Sequence, residues 1–126
     1  MTTKEILERL SMVTNQIAAI GVDPWNLPVK ILLKRHYEEG GCKTKEYNVL
    51  CLSNKVYNHI VITGADTPMA LKEFVMRMAT RSEEKYWYVH DVFGPPNPSS
   101  SNAHIIRMGY GVNVTKILIV AEVWVD

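Results

Sequence analysis

Apolar residues near the start of the chain fall at Ile6, Leu7, Leu10, Val13, Ile17 and Ile20. Their steps of three and four build one stripe of an α-helix, with Lys4, Glu8, Arg9, Asn15 and Gln16 turned away from it. Thr2 followed by Glu5 has the form of a capping box, in which a hydroxyl and a carboxylate satisfy amide groups left unpaired at a helix start. Gly21 suits the stop. A stripe of this width packs on a neighbouring surface, and the chain's own core is favoured over a second subunit as that surface.

Asp23-Pro24-Trp25-Asn26-Leu27-Pro28 is a turn, with proline fixing the backbone twice. Val29, Leu32, Leu33, His36 and Tyr37 then suit one face of a second helix ended by Gly40-Gly41. The β-tolerant run 29–33 with Glu39-Gly40-Gly41 suits a strand and hairpin turn equally, so the pattern leaves both open. Residues 47–52 and 56–63 are β-branched and aromatic around Ser53-Asn54-Lys55, which predicts a hairpin. Asp66 or Thr67, with Pro68, introduces a helix whose stripe is Leu71, Phe74, Val75 and Met78. On its surface Glu73 and Arg77 are spaced to pair, and Arg81 continues that edge.

Strands are predicted at 86–93, 103–110 and 114–125. The last is apolar on both alternating faces apart from Glu122, as in a central strand covered on both sides. The expected fold class is α+β: an N-terminal helix or helices, then a β-β-α-β-β-β arrangement with a mainly antiparallel sheet covered by helices.

Composition adds limits. With 126 residues, 47% hydrophobic and 21% charged, residues 1–126 are expected to form a single domain with its own core. The net charge of +1 lacks the broad positive field that binding to long nucleic acid needs. Lys30, Lys34, Arg35, Lys43 and Lys45 are interrupted by Glu38 and Glu39 and read as a solvated face. Cys42 and Cys51 make neither a disulfide framework nor a zinc tetrad, and read as buried or incidental thiols. No window approaches the roughly 20 apolar residues of a membrane span. The expectation is an intracellular, cytoplasmic protein without a membrane partner.

Candidate chemistry gathers between Tyr86 and Arg107. His90 and Asp91 are neighbours in a predicted strand, so their side chains point to opposite faces, which argues against an acid/base dyad. His90 and His104 converge only if their strands pair across the intervening loop. No nucleophile elbow, phosphate cradle or clustered metal motif is present, and neither a cofactor nor a metal is expected. What remains is recognition. Trp87 and Phe93 offer ring faces, and His90, His104, Asn97, Asn102, Arg107, Arg77 and Arg81 offer polar and cationic partners, a mixture that holds a ring by stacking and a phosphate by charge-assisted bonds.

Alternation places Tyr86 and Tyr88 together on one face, assigned to core or interface packing, and Trp87 on the other. The loop 94–102, stiffened by three prolines, is long for a hairpin connection and is expected to fold over a ligand at a subunit boundary.

The expected function is non-enzymatic: a homo-oligomeric protein that binds and sequesters a small anionic or nucleotide-like ligand. In general outline only, such a protein is similar to the small phage-type sponges that sequester nucleotide immune signals, a similarity that no motif carries. The alternatives are a small hydrolase using His90 or His104, and a structural or assembly protein interacting through its first helix and exposed aromatics.

Overall fold

In the computed structural model, which describes residues 1–54, 57–93 and 101–125, the capping box forms as its spacing predicts. Thr2 Oγ1 accepts from the Glu5 amide at 3.2 Å, and Glu5 Oε1 accepts from the Thr2 amide at 3.1 Å. These bonds hold the Glu5 carboxyl below its ordinary pKa. They open α1 (Thr3–Ala19). The helix stops where Gly21, at φ +84°, returns its amide to Ala18 O, a left-handed turn that glycine makes without a Cβ clash. The stripe Ile6, Leu10, Val13 and Ile17 is buried in the chain's own core.

Residues 29–37, which fit either a helix face or a strand, form β1 (Val29–Tyr37) with period-two burial: Val29, Ile31, Leu33 and Arg35 face inward. Gly40 and Gly41, at φ +86° and +102°, reverse the chain into the antiparallel β2 (Cys42–Ser53). A run of two left-handed residues is hairpin chemistry, and it decides against the second helix. β3 (Asn58–Thr63) pairs antiparallel with β2, with a bulge between Val49 and Cys51. Of the two cysteines, Cys42 is exposed and Cys51 half-buried, so neither is a buried thiol.

α2 (Leu71–Ala79) begins later than the caps at Asp66 and Thr67 predict, with Ala70 at its N-cap and no side-chain cap. Met69 is drawn into the core and its carbonyl accepts from the Val29 amide at 2.9 Å, so residues 66–68 serve as connection. β4 (Trp87–Asp91), β5 (Ser101–Tyr110), a short 3-10 turn (Val112–Val114) and β6 (Ile117–Val125) complete the order.

The α+β expectation of a sheet covered by helices is wrong: the six strands close into a barrel in sequence order. β6 returns beside β1 in parallel, from Val29 opposite Ile117 to Tyr37 opposite Val125. The β3–α2–β4 crossover sets β3 and β4 parallel as well. Closure removes the edges that an open sheet would have to protect.

β6 is therefore not a central strand. Its inward Ile117, Ile119, Ala121 and Val123 fill the barrel, while outward Trp124 is 62% exposed. The two helices lie over the end where β1, β4 and β6 begin, tied there by Thr3 N–H to Lys85 O (2.8 Å) and Leu71 N–H to Leu27 O (2.8 Å). Their stripes join the inward barrel residues in one hydrophobic core. Among the described residues, no helix is long and apolar enough to cross a membrane.

Candidate functional site

Strand β4 divides the chemistry of the 86–107 stretch between two sides of the barrel wall. Trp87, Val89 and Asp91 point inward and are buried; Tyr88 and His90 point outward and are half-buried. The alternation is as expected, but the sides are reversed. Trp87 is a core residue whose Nε1–H donates to Thr3 Oγ1 at 2.7 Å, and Tyr86, assigned with Tyr88 to core or interface packing, is 43% exposed and so not in the core. An indole with a buried hydroxyl to meet is the larger apolar body and takes the interior.

On the outside, β3 and β5 flank β4. The register sets His59 opposite Tyr88, Tyr88 opposite His104, and His90 opposite Asn102. His59 Nε2 lies 2.8 Å from Asn102 Oδ1, and the His59 and His90 ring centroids are 5.0 Å apart at 31°. Tyr88 meets His104 edge-on at 5.4 Å and Tyr86 at 4.9 Å, and Tyr57 adds an edge contact to His59 at 6.0 Å. Three strands thus present one continuous face of rings, with an amide among them.

Burial, followed by the neighbouring His59, pushes the His90 pKa down, against a smaller upward pull from Asp91. The face therefore offers the ring nitrogens of His90, held toward the neutral form, as well as ring surfaces. Beyond His104, the same row continues to Glu122 and Lys34 by register. Glu122 Oε2 lies 3.1 Å from His36 Nε2, and the His36 ring stacks on Trp124 at 4.7 Å.

The inward side carries an ionic lock instead. Arg35, read as part of a solvated basic face, is buried: its Nε and Nη2 donate to both Asp91 carboxylate oxygens at 2.9 and 2.8 Å, and Nη2 donates to Tyr47 Oη at 2.7 Å. Asp91 raises the Arg35 pKa further above its ordinary value. Asp91 Oδ1 also accepts from the Phe93 amide at 3.2 Å, and the Phe93 ring stacks on Tyr47 at 5.1 Å. With its carboxylate engaged on the other side of the wall, Asp91 does not form a dyad with His90.

Of the residues expected to form the site, the fold brings together His90, Asn102 and His104. Arg107 stands exposed on the same outer face, opposite Val120 past a bulge. Trp87 is buried inside the barrel, and Phe93, half exposed past the end of β4, stacks on Tyr47. Arg77 is paired with Glu73 at 2.8 Å, as its spacing predicts, and lines a separate cleft with Arg81. Asn97 lies outside the described residues. His59 and Tyr57 are additions that sequence reasoning missed, and of the core or interface packing expected of Tyr86 and Tyr88 the core is excluded, since both lie on the outer face. The signal for His59 was a strand-helix-strand segment, a crossover that lays the two strands side by side in parallel.

Chemically, the face can stack a planar ring and exchange hydrogen bonds with its edge. Among the described residues, no group of three His, Cys, Asp or Glu side chains is arranged to hold a metal ion. Comparison of the chain with known protein families, with curated proteins and with solved structures gives no match.

Proposed function

We propose that this chain is a non-enzymatic binding protein that sequesters a small nucleotide-like ligand on the outer face of β3, β4 and β5. The convergence of His59, Tyr88, His90, Asn102 and His104 from three strands carries the reading. The ring of the ligand stacks on these side chains, the edge of the ring exchanges hydrogen bonds with His90 and Asn102, and Arg107 takes the anionic group. The hydrolase alternative has less support, because the carboxylate next to His90 in sequence is spent on Arg35.

A ligand held for sequestration buries most of its surface, and the face is open on its outer side. A second copy of the chain laid over it is the cover that the homo-oligomeric part of the reading calls for. We place the protein in the cytoplasm, where nucleotide signals are found.

The test is native mass spectrometry of the purified protein with a pool of cyclic and linear nucleotides. The reading expects the mass of an intact nucleotide added per subunit or per dimer. Consumption of a pool member with release of product would replace it with the hydrolase, and an oligomer that ignores the pool would replace it with an assembly role.

A further inference from the structure

We propose a second binding site, for the head of a phosphate monoester, in the cleft between the last turn of α2 and the end of β2. Leu52, Met76, Arg77, Thr80 and Arg81 line this cleft, which encloses about 200 Å³. Among the described residues, the Nε of Arg81 is buried without a hydrogen-bond partner. A guanidinium N–H removed from water and left without an acceptor is costly, and native structures supply one from protein, water or a bound ion.

The chemistry of the cleft selects the acceptor. Arg77 sits in the last turn of α2 and Arg81 lies two residues past its end, and both line the cleft, so two planar forks border the same space. Arginine forks match both carboxylate and phosphate, but a monoester carries close to two negative charges at neutral pH and answers both guanidiniums. The partner Arg77 already has, Glu73, is no obstacle: the pair is about half exposed on both sides, and an exposed pair at this spacing is weakly held.

The negative end of the helix is muted before a ligand arrives. Arg77 O accepts from Thr80 Oγ1 at 2.8 Å, and Met78 O accepts from the Arg81 amide at 3.0 Å. Leu52 supplies an apolar wall that strengthens charge-assisted bonds beside it. The cleft stands independently of the aromatic face, none of whose residues line it.

The experiment follows the side-chain Nε–H resonances of the isotopically labelled protein by NMR while inorganic phosphate is added at constant ionic strength, with chloride as reference. The Arg81 resonance moves saturably with phosphate and not with chloride. Read at the Arg77 Nε–H, Arg81→Gln weakens the affinity at least ~tenfold; read at the Arg81 Nε–H, Arg77→Gln weakens it by a smaller factor and Tyr88→Ala leaves it unchanged. A shift that does not saturate, or that chloride reproduces, overturns the site in the native protein without recourse to a variant. Equal affinity in Arg81→Gln and the native protein overturns it as well.

Discussion

The imidazole rings of His59 and His90 stand 5.0 Å apart on neighbouring parallel strands, close enough that protonating both sets like charges together. Burial and this neighbour lower the His90 pKa from the ordinary histidine value of 6.5. The folded protein then binds fewer protons than the unfolded chain just below that pH, so the stability linked to His90 is complete above about pH 6.5 and is lost as pH falls through the folded value. The urea midpoint is expected to decline below pH 6.5, and His90→Gln to flatten that decline. An unchanged slope in the variant would mean that His90 is not its source.

The Arg35–Asp91 pair closes the barrel interior at the end away from the helices, and its carboxylate is fully buried. Removing one partner strands a buried charge, so Arg35→Ala and Asp91→Ala are each expected to cost about 3–5 kcal/mol in urea unfolding. A well-packed apolar pair such as Arg35→Met with Asp91→Leu is expected to recover most of that loss. If the double variant were as unstable as the sum of the two alanine variants, the pair would not act as a unit.

Trp87 Nε1–H and Thr3 Oγ1 make the buried hydrogen bond that joins the start of α1 to β4. Thr3→Val keeps the shape and leaves the indole N–H without its acceptor, an expected loss of about 1–3 kcal/mol in thermal or urea unfolding. With Trp87→Phe in the background the same Thr3→Val change is expected to cost much less. Equal losses in the two backgrounds would remove the indole from the explanation.

Local signals in the sequence were readable where short-range chemistry decides the outcome. Thr2 and Glu5 make their box within one turn, and the α1 stripe needs no partner to be recognised. Alternation along β4 correctly separated Tyr86 and Tyr88 from Trp87. It did not say which set faces in, because that depends on Thr3, far away in sequence. The barrel was hidden for a similar reason. Parallel pairing of β1 with β6 leaves no local trace, and outward Leu118 and Val120, half-buried and buried on the wall of the closed barrel, read equally well as a strand in a helix-covered sheet.

β1 was ambiguous because Leu32, Leu33, His36 and Tyr37 satisfy a helical period as readily as Val29, Ile31 and Leu33 satisfy an alternating one. In the candidate site, His90, Asn102 and His104 were readable from one loop and its flanks. His59 reaches them only through the β3–α2–β4 crossover, so a search confined to residues 86–107 could not include it.

The most direct test of the ligand-binding reading is side-chain NMR of the four histidines while individual nucleotides are added at fixed pH. His59, His90 and His104 share the proposed face, whereas His36 is held between Glu122 and Trp124 on β1 and β6 and serves as the internal reference. The account predicts saturable shifts at His59, His90 and His104 with little change at His36, all lost in Tyr88→Ala. No shift with any nucleotide, or equal shifts at all four imidazoles, would contradict it.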